Sequence, residues 1–356
     1  MNDPVHIIGA GLVGLGTADA LSERGRAVVV WDAAPAPGMG ANYRNSALLH
    51  PSQAAPWRVE GVNSGLDAAD RGRLERQGFR LAARSVRRIR RRMAELGLPP
   101  ERRGVLQVFD GTPARDLRLQ DYGRLGARAE AASWLGHPAI HIAGDGCADA
   151  RLYALHLAGD LAERGVEFRL GSRVGLRRGG DGLLIETPSS RTAARQVVVA
   201  AGHATPGLLS PLGMSIDLVP VAGHALDFRP SLPPPESVLP SGVHAVMDAT
   251  SHSALSVLDG TVRLSGSVGL AAPDDLLPIW QALVPGLADW LGSPVSRWTG
   301  YRPVMRGGAA FMGGTDVEGL FVNAGHAHMG WTLSAGAGEV VADAVMAEEV
   351  AGTAAP

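Results

Sequence analysis

The chain has 356 residues, 46% of them apolar and 19% charged, and a formal net charge of −2 at pH 7. These values describe a globular protein long enough for two domains; they exclude a disordered chain and give no reason to expect nucleic acid as a partner. Cys147 is the single cysteine and every basic residue is arginine, so an intrachain disulfide, a cysteine metal cluster, a pyridoxal phosphate Schiff base and a P-loop lysine are all excluded.

The opening MNDPVHIIGAG has no basic n-region and no long apolar run, so a signal peptide is not expected. Nowhere do 18 uncharged apolar residues run together. No membrane span and a cytoplasmic location are therefore expected. Residues 5–8, VHII, read as a short buried strand. GAGLVG follows, then a helical pattern that ends at Gly25, then the apolar strand AVVVW at 27–31 with Asp32 behind it. Strand, turn, helix and strand open a βαβ unit.

Gly9, Gly11 and Gly14 form G-x-G-x-x-G directly after that strand. The three glycines serve a tight turn, close backbone approach to a pyrophosphate, and close packing of helix on strand. The helix N-terminus adds free N–H groups and positive dipole, and Asp32 stands where a carboxylate accepts from a ribose hydroxyl. A bound dinucleotide is expected.

Residues 33–60, rich in Ala, Pro and Gly, read as ordered loop. From about Leu66 to Leu96 a helical pattern carries ten arginines between Arg71 and Arg92. They turn too far around a helix to form one clean stripe, so a solvated face is the expectation; a weak membrane-surface or partner patch is the alternative. Leu152 to Arg164 is a strong amphipathic helix closed by Gly165, and VEFRLGSRV follows as a strand. LLIETPSSRTAARQVVVAAG reads as two strands and a turn, and 217–270 as β-rich. GLFVNAG at 319–325 is a further buried strand, and a helix begins near Gly330. Pieces of βα character at the start, middle and end point to one sheet with a β-rich second domain inserted.

NAD needs only the first glycine turn. A reduced flavin gathers negative charge at N1 and the C2 carbonyl, and a second helix N-terminus at Met329–Thr332 would stabilise it. That favours a flavin. In WTGYRPVMRGG, 298–308, Pro303 holds Arg302 toward extended backbone. An arginine so held is either a satisfied charge or a clamp for an anion. Tyr301, His50 and His328 are candidates to line a pocket with it. His141, His156, His203, His224, His244 and His252 show no metal-binding spacing among themselves, so no metal is proposed. Cys147 is expected to be buried and inert.

HIIGAGLVGLGTADALSERGRAVVVWD at 6–32, NSALLHPSQAAPW at 45–57, WTGYRPVMRGGAAFMGG and GLFVNAGHAHMGWTLSAGAGEVVAD together resemble the FAD-dependent D-amino acid dehydrogenases. More broadly they resemble the glycine oxidase and D-amino acid oxidase superfamily. The resemblance implies an α/β fold: a Rossmann-type FAD-binding domain with a β-rich substrate domain, glutathione-reductase-like and of D-amino acid oxidase type. It divides the chain into an FAD-binding domain (1–60, 145–217 and 300–356) and a substrate-binding domain (61–144 and 218–299). Gly9, Gly11, Gly14 and Asp32 would hold the ADP half, and Val174 would meet the adenine. Ala201 and Gly202 would pass close to the cofactor. Ala41, Asn42, Asn45 and Ser46 would line the ribityl and flavin edge. Gly330, Trp331 and Thr332 would touch the pyrimidine end of the ring, and Arg302 would bind the substrate carboxylate.

Ala41-Asn42 stands where such dehydrogenases usually show Thr-Ser, and Ala222 where a basic residue is usual. The implied reaction takes a hydride from a small amino acid, of D configuration, to flavin N5 and yields a 2-keto acid and ammonia. The alternatives are a specialised amine or imino-acid oxidase and a flavin-binding protein without turnover. Absence of lysine favours a dehydrogenase passing electrons to a quinone or other carrier over one using O2.

Overall fold

The computed structural model describes residues 3–54, 67–180, 182–266 and 270–353. The end of the 33–60 loop, Trp57 of the matched stretch and the expected helix start at Leu66 lie outside the described residues. In chain order the first half runs β1 (Val5–Ile8), α1 (Leu12–Glu23), β2 (Val28–Trp31), β3 (Leu48–Leu49), α2 (Ala68–Glu95), β4 (Arg102–Val108), α3 (Thr112–Leu125), β5 (Ala129–Trp134), β6 (His137–Cys147), α4 (Ala150–Glu163) and β7 (Glu167–Arg169). It continues with β8 (Gly175–Gly179), β9 (Gly182–Glu186), β10 (Arg191–Ala194), β11 (Gln196–Val199), α5 (Thr205–Leu209), β12 (Leu218–Phe228), β13 (Ala245–Asp248), β14 (Ser253–Leu258) and β15 (Thr261–Gly266). The last elements are α6 (Leu276–Leu283), α7 (Leu287–Leu291), β16 (Ser296–Met305), β17 (Phe311–Gly314), β18 (Leu320–Ala324) and α8 (Gly330–Thr353).

The short β-branched runs form the first sheet. Its order is β17-β18-β11-β1-β2-β7, parallel except for the edge strand β17. Both faces are covered, which is why these strands are apolar at nearly every position. Val5, Ile7, Val28, Val30 and Val198 pack under α1, α4 and α8, whereas Ile8, Val29, Trp31, Val197 and Val199 pack against Leu176, Leu183 and Ile185 of the small sheet β10-β9-β8. Helices α1 and α8 cross at glycine: a Cβ on Gly338 would lie 2.3 Å from the carbonyl oxygen of Gly16.

The second sheet has nine strands in the order β16-β12-β15-β14-β13-β4-β6-β3, with β5 beside β6. Its outer face buries Trp134, Phe228 and Leu264 with Leu276, Trp280 and Leu287 of α6 and α7. β12 and β16 pair over their whole length, Leu218 opposite Met305 through Asp227 opposite Ser296. Arg302 therefore lies opposite Val221, one residue short of Ala222.

Two expectations need correction. The segment read as two strands around 183–202 contains three, because the chain leaves the small sheet after Ala194 and enters the first sheet at Gln196. The arginines of α2 are not simply a solvated face. Arg88 and Arg92 are buried; Arg88 pairs with Asp19 (2.7 Å), Glu23 (2.8 Å) and Glu339 (3.1 Å), and Arg92 with Asp160 (2.5 Å) and Glu95 (2.6 Å). Arg73, Arg76, Arg80, Arg84, Arg87 and Arg91 are exposed and recur every three or four residues, so a single stripe does form on the outer face. The two sets interleave in sequence, which hides the stripe until burial separates them.

Candidate active site

A cleft of about 880 Å³ runs between the two large sheets. Its wall at one end is the first glycine turn. Gly9 has φ +118°, and a Cβ there would lie 2.3 Å from the carbonyl oxygen of Ala200; a Cβ on Gly14 would lie 1.8 Å from the carbonyl oxygen of Gly9. Only glycine permits that packing of turn, helix and neighbouring strand. Gly11 caps α1 without any side-chain hydrogen bond, and the nearest atom to a Cβ there is Asn42 Oδ1 at 3.5 Å. Helix N–H groups thus remain open to an anionic ligand.

Asp32 accepts from the backbone of Ala10 at Oδ2 (2.6 Å) and of Ala34 at Oδ1 (2.7 Å). It braces the glycine turn, and a carboxylate retains lone pairs for a ribose hydroxyl. Gly9, Gly11, Asp32, Ala41, Asn42, Asn45, Ser46, Val174, Ala201 and Gly202 line the cleft, and so do His50, Tyr301, Arg302, His328, Gly330 and Trp331. Gly14 and Thr332 lie behind the wall. Gly14 packs the helix onto the turn, and the fully buried Thr332 accepts at Oγ1 from the backbone N–H of His50 (3.2 Å). The Thr332 hydroxyl is thereby engaged in a tie that holds His50.

Arg302 reaches the cleft because two glycines face each other across strands. Gly223 of β12 pairs with Gly300 of β16; the Arg302 guanidinium lies over the first and the Trp298 ring over the second. Arg302 Nη1 donates to the carbonyl of Ala222 at 3.4 Å. Burial lowers its pKa to about 10, so it remains a cation at neutral pH. Half-exposed Tyr301 stands beside it, 5.5 Å ring to ring from His203.

His50 and His328 face each other, with ring centroids 5.6 Å apart. Burial pushes their pKa values down to about 3 and about 4, with the Arg302 charge adding to the effect, so both rings are neutral at physiological pH. His328 Nε2 lies 3.0 Å from the carbonyl oxygen of Gln53, so that nitrogen donates and Nδ1 is left as an acceptor. The cleft also contains His326, which sequence reasoning did not include. Val13 O, Thr17 Oγ1, Asn323 and His326 Nε2 form one hydrogen-bonded chain, with Asn323 Nδ2 to Thr17 at 2.9 Å and Asn323 Oδ1 to His326 at 2.8 Å. Among the described residues His50 Nδ1, His326 Nδ1 and Trp331 Nε1 are buried without a hydrogen-bond partner. Open amides at one end and unpaired polar atoms at the other fit a long ligand with phosphates and a polar ring, as FAD has.

The description "FAD dependent oxidoreductase" (DAO) belongs to a family model that matches residues 4–344. The chain is a member of that family. FAD is its cofactor, and it is an oxidoreductase. It is 29% identical to the D-amino acid dehydrogenase of Cereibacter sphaeroides, over 96% of this chain and 91% of that protein. Its fold is similar to that of glycine oxidase from Geobacillus kaustophilus, with a TM-score of 0.80, 22% identity and coverage of 97% and 95% of the two chains. Iminodiacetate oxidase from Chelativorans sp. BNC1 is similar too, with a TM-score of 0.78, 21% identity and coverage of 96% and 95%. Within this oxidoreductase, Cys147 is 1% exposed on β6 and burial pushes its thiol up to about 12. No helix among the described residues is long and apolar enough to cross a membrane, and no group of three or more described His, Cys, Asp or Glu residues could hold a metal ion.

Proposed function

We propose that this oxidoreductase converts a small D-amino acid to its imine, with Arg302 binding the substrate carboxylate. The observation that carries the reading is Arg302 itself, a desolvated guanidinium laid over Gly223 in the cleft that both glycine-rich helix N-termini also face. A planar fork of donors suits a carboxylate bidentately, and a desolvated one gains most from the pairing.

Gly9, Gly11, Gly14, Asp32 and Val174 would hold the ADP half of FAD. Ala41, Asn42, Asn45 and Ser46 would follow the ribityl chain, and Ala201, Gly202, Gly330 and Trp331 would border the ring. FAD, when bound, accepts the two electrons and the hydrogen that an amino acid gives up as its amine becomes an imine; water then yields a 2-keto acid and ammonia. Arg302 fixes the carboxylate and so the direction of the Cα–H bond, which lowers the barrier by orientation. The neutral ring of His328 presents Nδ1 as an acceptor for the substrate amine, and the buried rings of His50 and His326 keep water from that side. Tyr301 closes the outer edge. Curated relatives named D-amino acid dehydrogenase support the D configuration, and the absence of lysine supports a carrier such as a quinone as electron acceptor.

The test is an anaerobic flavin-reduction screen over D-, L- and N-methyl amino acids. Bleaching by D-amino acids is expected, and bleaching only by N-alkyl amines would move the assignment to an amine oxidase. Arg302→Ala should keep its flavin and raise KM steeply, and Arg302→Lys should not restore it. Unchanged kinetics in Arg302→Ala would remove the assignment.

A further inference from the structure

We propose that Tyr122 and Asp145, neither of which lines the cleft, are positioning residues of the reaction: they fix the turn Pro51–Gln53, and that turn aims His328 at the substrate amine. The inference deepens the amino acid reading above and rests on its use of His328.

The turn crosses from the second sheet to the start of α8, and its polar groups are tied on both sides. On the sheet side, Asp145 of β6 accepts from the Ser52 N–H at Oδ1 (3.2 Å) and from the Ser52 hydroxyl at Oδ2. Arg118 of α3 donates to the Ser52 carbonyl at 3.3 Å. The side-chain amide of Gln53 donates to the Tyr122 hydroxyl, which in turn donates to Gln107 Oε1 on β4. On the helix side, the His50 N–H donates to Thr332 Oγ1 (3.2 Å), and the Gln53 carbonyl accepts from His328 Nε2 (3.0 Å). A carbonyl oxygen can only accept, so it selects the His328 tautomer with hydrogen on Nε2 and a lone pair on Nδ1. Its place in space also sets the tilt of that ring.

Packing alone does not account for either side chain. Tyr122 is fully buried among Val105, Phe109, Ile140 and Ile142, where a phenylalanine would fill the same volume; its hydroxyl serves Gln53 and Gln107. Asp145 is 1% exposed, and burial raises its carboxyl to about 7 against the pull of both Ser52 hydrogen bonds. A buried carboxyl burdens the fold, and both oxygens of this one meet the turn. Buried ionisable groups of this kind gather around functional sites.

The probes are D-alanine and propionate, the same carboxylate without the amine; if another amino acid is faster in the screen, it and its deaminated acid replace them. Anaerobic stopped-flow with the FAD-loaded enzyme reads flavin reduction, and the flavin spectrum reads propionate binding. Displacing a supporting group by under 1 Å costs up to about 100-fold in rate, so Tyr122→Phe and Asp145→Ala should each slow the limiting reduction rate about tenfold. Propionate binding, which reports on Arg302, should change less than twofold. Asp145→Asn can still accept from the Ser52 N–H and donate to its hydroxyl, and should recover most of the rate. His328→Leu should slow reduction at least tenfold, and adding Tyr122→Phe to it should slow it no further. Tyr122→Phe conserves volume and carries the test should Asp145→Ala fail to fold. Wild-type reduction rates in Tyr122→Phe, an equal loss of propionate binding, or a full Tyr122→Phe effect in the His328→Leu background would refute the inference and leave the amino acid reading standing. A wild-type rate in His328→Leu alone would remove the role of His328, and this inference with it.

Discussion

Gly223→Ala tests the placement of Arg302 without touching Arg302. A Cβ at Gly223 would sit 2.0 Å from Nη1, 2.6 Å from Cζ and 3.0 Å from Nη2 of the guanidinium. Ordinary contact begins at 3.4 Å, so the guanidinium must move by about 1.4 Å (3.4 less 2.0). The atoms displaced are the far end of a flexible side chain, so the strand pairing survives and stability changes little. A misplacement of about 1 Å at a reacting centre costs on the order of 100-fold in rate, or about 2.7 kcal/mol of transition-state binding. The variant should therefore retain FAD and a near-normal Tm yet lose about 100-fold in kcat/KM for whichever amino acid serves, as read by anaerobic flavin reduction. Wild-type kinetics in a correctly loaded Gly223→Ala enzyme would refute the view that Arg302 acts from above this glycine.

Three further outcomes follow from buried groups. Asp145, 1% exposed, accepts from Ser52 at both its N–H (3.2 Å) and its hydroxyl (2.5 Å), yet burial raises its pKa to about 7. Between about pH 4 and 7 the folded state holds a proton that the unfolded state has released, so stability falls as pH rises through that window. Asp145→Asn should remove on the order of 4 kcal/mol of that fall, visible as a smaller Tm drop from pH 4 to 8 than in the wild type; an identical drop would refute it. Arg88→Ala leaves Asp19 and Glu339 short of a buried partner and should cost about 3–5 kcal/mol in denaturant unfolding, against under 0.5 kcal/mol for the exposed Arg87→Ala. Cys147, with its thiol at about 12, should resist iodoacetamide at pH 8 in the folded protein and react once denatured; labelling of the native enzyme would show that the thiol opens to solvent.

The dinucleotide end of the site was legible because its requirements are local. Gly9, Gly11 and Gly14 answer to one turn and one helix, and a four-residue β-branched run on either side sufficed to place them. The substrate end was less legible because its geometry is made by partners far apart in the chain. Arg302 owes its position to Gly223 on another strand, and no periodicity in either segment reveals their pairing. The Thr332 hydroxyl bonds to the backbone of His50, a contact across 282 residues that no local pattern reveals. His326 stood in a quoted segment yet gave no signal of its own, since its orientation depends on Asn323 and through it on Thr17 of α1. Charges on α2 read as surface because their acidic partners, Asp19, Asp160 and Glu339, come from three distant segments.

The order of strands in the first sheet also has a consequence for how the protein is made. β1 is bordered by β11 and β11 by β18, and the turn at Gly9 is walled by Ala200 just beyond β11. α8 then lies across α1. A chain still on the ribosome, with residues 320–353 unmade, has the glycine motif in hand but neither the neighbouring strands nor the helix that brace it. A nascent chain stalled before β18 is therefore expected to retain no flavin, although its glycine motif is already made.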